Sequence, residues 1–135
     1  MPHNIDFETG VLTAFAECVQ REAKPLAFSS PLAPDFAKQF LEKAKNTVGA
    51  FDVSLYVEES IVDTDFSKRE ELQGLTVFIL YKYDDDLKAY LDFKAQVDMW
   101  EQENRYDSRL RKLATADLCR LLGYSEMHIE AMLEE

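Results

Sequence analysis

The residues with the clearest capacity for chemistry in this sequence are carboxylates that occur in close groups. One group is a triplet and three are pairs, so the candidate residues are Asp84, Asp85, Asp86, Glu58, Glu59, Asp63, Asp65, Glu70 and Glu71. Grouped carboxylates can hold divalent metal ions, transfer protons as general acids and bases, or contact a basic partner. The remaining residues discriminate among these three uses.

The sequence lacks the residues that accompany carboxylates in most active sites. It has no Ser-His-Asp arrangement, no glycine-rich phosphate loop and no His or Cys cluster at metal-binding spacing. Its two histidines are His3, near the N-terminus, and His128, in a short predicted surface helix. Cys18 and Cys119 have mainly apolar neighbours and lack the electropositive surroundings of an activated thiolate. We therefore predict that the protein is not an enzyme and uses no cofactor or metal.

The segment Tyr83-Asp84-Asp85-Asp86 resembles the Tyr-x-Asp-Asp hairpin of reverse-transcriptase-like polymerases, whose carboxylates hold catalytic metal ions. The resemblance covers four residues. The chain, at 135 residues, is too short for that palm fold with its nucleotide site, and no basic channel accompanies the segment. We therefore expect Asp84–Asp86 to be a solvated turn and a contact site, with no metal.

The net charge of −11 is concentrated in one part of the chain. Residues 51–104 contain fourteen acids and five bases, a net charge of −9. Nucleic acids and anionic membranes attract Lys and Arg, so direct binding to either is disfavoured. A basic protein partner is favoured, and Tyr90 and Trp100 are candidate aromatic anchors for it. The alternative is that the acidity only keeps the protein in solution.

Hydrophobic periodicity predicts two amphipathic helices in the N-terminal third, at residues 6–22 and near 35–47. Prolines interrupt the segment between them, residues 25–34, which we expect to be an extended connection lying across the core. Apolar and polar residues then alternate over residues 51–57, which predicts a half-buried strand.

The centre of the predicted sheet is a strand at residues 75–83, where nearly all residues are β-branched, aromatic or leucine. The charged segment before it, residues 59–73, predicts a long connection with a short edge piece at Ile61–Val62. Residues 87–99 alternate strictly between apolar and polar, which predicts a third strand, joined to the central one by a hairpin turn at Asp84–Asp86. Whether the residues from 97 to 104 continue that strand or begin a helix is left open.

Helical periodicity returns from residue 107. Asp107 or Ser108 is expected to cap a helix that ends at Gly123, and Ser125 to cap a last short helix. The first of these helices and the residues just before it contain basic side chains that we expect to pair with the acids of the sheet segment: Arg105, Arg109, Arg111, Lys112 and Arg120.

The residues around this glycine are similar to the helix-turn-helix of DNA-binding proteins. A small residue, Cys119, lies four positions before Gly123, and a β-branched residue, Ile129, lies six positions after it. The resemblance implies a helix-turn-helix corner at about residues 107–134, with a second helix of the kind that enters the major groove. That helix has several acids and no Lys or Arg, so we do not expect it to bind DNA.

These elements predict one α+β domain over residues 1–135: two N-terminal helices, a three-stranded antiparallel meander and two C-terminal helices. No apolar run approaches the ~20 residues that span a bilayer, and the N-terminus has no signal-peptide pattern. Two cysteines far apart in sequence are typical of a reducing compartment. We predict a cytoplasmic protein with no membrane association.

The function that this combination favours is a non-enzymatic acidic inhibitor that binds and blocks a basic, nucleic-acid-handling protein. Phages, mobile elements and toxin loci encode such proteins as DNA mimics, anti-CRISPR-type proteins or immunity proteins. Carboxylates two residues apart along a strand are separated by ~6.6 Å, similar to the spacing of phosphates, which is a physical basis for mimicry. Two alternatives stay open: a small secretion-type chaperone, which would be a homodimer, and a divergent helix-turn-helix regulator.

Overall fold

Strand β3 (Val77–Tyr81) lies at the centre of a three-stranded antiparallel sheet, between β1 (Leu26–Phe28) and β2 (Ser54–Glu58). The register places Ile79 of β3 opposite β1 on one side and β2 on the other. Four consecutive residues of β3, from Val77 to Leu80, are buried, so the strand is covered on both faces. The prediction of a central strand within residues 75–83 is confirmed.

The computed structural model describes residues 3–134, and within that range six helices accompany the sheet. They are α1 (Ile5–Gln20), α2 (Pro34–Gly49), α3 (Arg69–Leu72), α4 (Asp84–Gln102), α5 (Ser108–Leu121) and α6 (Glu126–Leu133). The predicted α+β class is confirmed, although residues 1, 2 and 135 of the predicted domain lie outside the described residues. In the described part of the chain, no helix combines the length and the apolar character needed to cross a membrane.

The helices form a layer on each face of the sheet, so the sheet lies between two cores. Phe78 points to one face and packs in a core with Phe40 of α2 and residues of α1. Its neighbour Ile79 points to the other face and packs with Tyr90 of α4 and Leu118 of α5. Because successive side chains of a strand alternate between faces, the single strand β3 contributes to both cores.

Local sequence signals explain where several helices begin. The side chains of Asn4, Asp107 and Ser125 each accept a hydrogen bond from a backbone N–H in the first turn of α1, α5 and α6. Pro34 lies in the first turn of α2, where a backbone N–H would make no hydrogen bond within the helix, so proline is tolerated there. The predictions of two N-terminal helices and of two capped C-terminal helices are confirmed.

Residues 87–99, which we predicted to be a strand, belong to helix α4, so that prediction is wrong. The two buried residues of the helix, Tyr90 and Val97, are seven positions apart, a separation of two helical turns. Leu91 and Met99, which the alternating pattern placed with them on one face of a strand, are exposed. The helix also includes the residues from 97 to 102, which the sequence left open.

The surroundings of the sheet differ from the prediction in three respects. Asp84–Asp86 form the first turn of α4, not a hairpin turn. The third strand is β1, from the segment predicted as an extended connection, so the strand order is β1-β3-β2 and not sequential. Ile61–Val62 are buried in a loop instead of forming an edge strand, and the same connection contains the short helix α3.

Candidate partner-binding surface

The first turn of α4 carries three of the predicted contact residues. Asp84 and Asp85 are exposed, and Asp86 is half-buried. The helix begins after Tyr83, whose side chain makes no capping hydrogen bond, so the acids are well placed against the free N–H groups and positive end of the helix dipole. Among residues 3–134, none of the three aspartates takes part in an ion pair.

Asp86 shares a pocket with Glu22 and with two lysines, Lys24 and Lys82, of which Lys82 pairs with Glu22. Partial burial, followed by repulsion from Asp85 and from Glu22 of the α1–β1 turn, raises the pKa of its carboxyl group. A like-charge neighbourhood of this kind is relieved when a cation approaches. The electrostatics at this end of α4 therefore favour a cationic ligand group.

Glu58 and Tyr90, both predicted as contact residues, are buried and bonded to each other, so they do not offer a surface to a partner. The Tyr90 hydroxyl donates to the Glu58 carboxylate at 2.7 Å, and Lys94 donates to the other carboxylate oxygen at 2.7 Å. The backbone N–H of Ser60 adds a third hydrogen bond. Burial and the hydrogen bond to Glu58 raise the pKa of Tyr90 far above its ordinary value. These groups hold α4 against the end of β2.

Asp63 and Asp65 are occupied by Arg111 of α5, which thus pairs with the sheet segment as expected. Arg120 of the same helix instead pairs outside that segment, with Asp117 and Glu126. The Arg111 guanidinium contacts both carboxylate oxygens of Asp63 at 2.9 and 3.1 Å, and its Nε donates to Asp65 at 2.6 Å. Partial burial acts to raise the pKa of Asp63, but hydrogen bonds from Arg111 and the Arg69 N–H outweigh it and lower that pKa. This pair of acids docks the loop before α3 onto α5.

Glu59, Glu70 and Glu71 are exposed, but they lie far from the aspartate triplet. Arg69 of α3 pairs with Glu101 at the C-terminal end of α4, at 2.9 Å. Seventeen residues of helix separate Asp84 from Glu101, a length of about 25 Å at 1.5 Å per residue. The predicted contact residues thus fall into two groups at opposite ends of α4.

The last predicted contact residue, Trp100, lines a groove between α4 and α5. Its half-buried ring stacks on Tyr106, with ring centroids 6.3 Å apart and planes 17° from parallel. The groove has a volume of about 550 Å³, and its apolar lining consists of Pro25, Ala89, Phe93, Trp100 and Leu121. The sequence prediction missed this groove because it placed Phe93 on a strand; on a helix, Phe93 and Trp100 are seven residues apart and share one face.

Acidic side chains border this groove. Asp86 and Asp92 of α4 and Asp117 of α5 line it, together with Gln96 and Arg120. Asp92 pairs with Lys88, and Asp117 pairs with Arg120, in both cases between exposed side chains. Exposed pairs of this kind contribute little stability and exchange partners readily. The groove therefore combines an apolar floor with a rim of mixed charge, and its one rim carboxylate without an ion pair within residues 3–134, Asp86, connects it to the aspartate triplet.

The surroundings of the cysteines and of His3 are as follows. Cys119 is buried, which raises the pKa of its thiol, and Cys18 is half-buried and also free. His3 accepts a hydrogen bond from the Ala33 N–H and stacks on Phe36. No three His, Cys, Asp or Glu side chains of residues 3–134 converge to hold a metal ion.

The corner between α5 and α6 is held by the segment before β1. Gly123, in the turn, has a left-handed φ of +89° and lies against the backbone of Ala23 and Lys24. The Lys24 ammonium group donates to the carbonyl of Leu122. Helix α6 exposes Met127 and several acids, and it contains no Lys or Arg.

The predicted contact residues that remain available as a group are Asp84–Asp86, beside the groove that contains Trp100. The strand spacing on which phosphate mimicry was argued does not apply to them, because these carboxylates lie on a helix. No protein-family model, curated protein or solved structure matches this chain.

Proposed function

We propose that this chain is a non-enzymatic acidic interaction protein that binds and blocks a basic, nucleic-acid-handling protein. The observation that carries the proposal is the aspartate triplet of α4, which has no ion pair within residues 3–134 and connects through Asp86 to the rim of an apolar groove. Other acids of the same segment, such as Asp63 and Glu58, are already paired inside the fold. A cytoplasmic location and the origin in a phage or mobile element are part of this proposal.

Electrostatic complementarity is the physical reason for preferring a basic partner. A negatively charged surface steers a positive one during encounter and suppresses binding of acidic competitors. Proteins that handle nucleic acids carry the required Lys and Arg surfaces, because they neutralise phosphates. A protein that covers such a surface excludes nucleic acid from it, which is the basis for inhibition. The regulator alternative is weaker, because α6 has no basic side chain to contact phosphates.

The test is recovery of the partner from an extract of the organism of origin, followed by measurements with the purified pair. We expect binding to weaken strongly at about 1 M NaCl, where charges are screened beyond ~3 Å. We also expect the chain to displace nucleic acid from the partner in a competition assay. Binding that is unchanged at high salt, or a ternary complex with nucleic acid, would contradict the proposal.

Two triple variants locate the contact. Replacing Asp84, Asp85 and Asp86 by Asn is expected to weaken binding by about tenfold or more, a loss of about 1.4 kcal/mol. Replacing Glu59, Glu70 and Glu71 by Gln removes the same charge at the other end of α4 and is expected to change binding by less than about twofold. Equal effects of the two variants would mean that net charge alone, and not this surface, governs binding.

A further inference from the structure

The groove between α4 and α5 leaves apolar surface open that the chain does not itself cover. Phe93, Trp100 and Leu121 are half-buried, and Ala89 is exposed on the groove wall. All four line the groove, whose volume is about 550 Å³. Aromatic side chains in such settings are common anchors for a binding partner.

The groove has the shape of a trough along one helix. Its α4 wall is formed by Asp86, Ala89, Phe93, Gln96 and Trp100, whose spacing of three and four residues follows one helix face. From Asp86 to Trp100 is fourteen residues, or about 21 Å. A trough of this length between two helices fits the apolar face of a third helix of about four turns.

The charges along the trough specify the chemistry of that helix. Asp86 lies at one end, with Asp84 and Asp85 beside it. Within residues 3–134, none of these three aspartates forms an ion pair, so the carboxylates at that end are free to meet a cation. Asp92 and Asp117 lie along the rim, each in an exposed ion pair, the first with Lys88 and the second with Arg120, which also lines the groove. A second copy of this chain would bring together two proteins of net charge −11, which is disfavoured at this surface. Lys and Arg side chains would instead complement the rim and the triplet.

From this geometry we infer that the groove binds an amphipathic, Lys- or Arg-bearing helix of a protein partner, with its apolar face against Phe93 and Trp100 and a basic end over Asp84–Asp86. The inference rests on the proposed function and specifies the part of the partner that is recognised. Apolar contact with the floor and charge contact with the rim are both required, so a basic segment without an apolar face should not occupy the groove.

Trp100 provides a direct measurement, because it is the single tryptophan of the chain and lies in the groove. The full chain is titrated with a synthetic amphipathic helix of about 18 residues made of Leu and Lys, and the Trp100 emission is recorded. A control peptide has the same composition in an order that gives no apolar face. We expect a saturable emission change with the amphipathic peptide and at least tenfold weaker binding of the control.

Two substitutions of α4 separate the groove from general electrostatics. Ala89→Arg places a long side chain in the groove, whereas Ala95→Arg makes the same change at an exposed position of α4 that does not line it. We expect Ala89→Arg to weaken binding of the amphipathic peptide by tenfold or more, and Ala95→Arg to weaken it by less than about threefold. The circular dichroism spectra of both variants should match that of the unmodified chain. Equal effects of the two variants, or equal affinity for both peptides, would overturn the inference.

The native partner separates a failure of this inference from a failure of the proposed function. Salt-sensitive binding of a basic partner that is unaffected by Ala89→Arg would remove the groove from the interface and leave the proposed function intact. Salt-insensitive binding of that partner would instead overturn the proposed function itself.

Discussion

The Tyr90 hydroxyl lies 2.7 Å from a carboxylate oxygen of Glu58, and both side chains are buried between α4 and the sheet. Lys94, one turn further along α4, occupies the second carboxylate oxygen at the same distance. A buried carboxylate is costly unless its oxygens find hydrogen-bond donors, and here two side chains and a backbone N–H donate to them. The network joins α4 to the end of β2, so it anchors the helix that carries the proposed binding surface.

The Lys94 side chain should therefore contribute far more to stability than its neighbour on the same helix. Lys94 and Glu58 have 22% and 3% of their side-chain surfaces exposed, whereas Lys88 and Asp92 have 73% and 68%. We expect Lys94→Met to lower the free energy of unfolding by about 3 kcal/mol, because it leaves a buried carboxylate without its cation. Lys88→Met is expected to cost less than about 0.5 kcal/mol. Urea unfolding at pH 7 measures both, and similar losses would show that the Glu58 network is not a stability determinant.

The ion pairs of Arg111 predict a pH dependence of stability. The pKa of Asp63 is lower in the folded state than its unfolded value of about 3.9. An acid of this kind stabilises the fold fully above the unfolded pKa, and that contribution disappears as the pH falls through the folded-state pKa. We expect Arg111→Met to lower the free energy of unfolding by about 1–3 kcal/mol at pH 7. Below about pH 4, the variant should lose less stability on further acidification than the unmodified chain does.

Arg109→Met is the matched control for this measurement, because Arg109 is an exposed residue of the same helix. Its stability profile between about pH 2 and pH 7 should follow that of the unmodified chain, as expected for an exposed charge. If Arg111→Met loses as much stability below about pH 4 as the unmodified chain does, the loop containing Asp63 is not held by this guanidinium.

The turn glycine of the α5–α6 corner gives a third prediction. A methyl group on Gly123 would lie 3.2 Å from the Ala23 carbonyl oxygen, and φ at this position is +89°. We expect Gly123→Ala to destabilise the fold by about 1–3 kcal/mol, because strain and close contact add. Gly10→Ala is the control: Gly10 lies within α1 with open space around it, so alanine should stabilise the fold by about 0.5–1 kcal/mol. Thermal unfolding of both variants checks the opposite signs.

The sequence was sufficient for elements whose signals are local. Four features were predicted where the structure has them: the strand within residues 75–83, the helix caps at Asp107 and Ser125, and the end of a helix next to Gly123. A helix cap involves groups three residues apart, and a central strand needs only a continuous apolar segment. Such features do not depend on what is packed against them.

Helix α4 was mispredicted because its decisive contacts are not local. The strict alternation of residues 87–99 favoured a strand from the sequence alone, because a helix there places charged residues beside its apolar face: Asp98, which is exposed, and also Lys94 and Glu101. In the fold the last two are each paired with a residue from another element, Glu58 for Lys94 and Arg69 for Glu101, 36 and 32 positions away. The same error hid the groove, because its α4 wall exists only when Phe93 and Trp100 lie on a helix.

Strand β1 was missed for a different reason. Its three residues lie between Pro25 and Pro31, and a segment this short carries no detectable alternation. Its backbone forms a strand by pairing with β3, which lies about fifty residues later in the sequence. Burial of Glu58 and Tyr90, which removed two predicted contact residues, also follows from a pairing between elements and not from either residue type.

The strand order has a consequence for how the chain is made. Strands β1 and β2 do not pair with each other; both pair only with β3, which is synthesised after them. While a nascent chain shorter than about eighty residues emerges from the ribosome, its two outer strands have no complement, and the sheet cannot nucleate. At a synthesis rate of about 5–20 residues per second, that interval lasts several seconds. Assembly of the sheet is therefore a late event of translation, because neither outer strand can pair until the central strand has been synthesised.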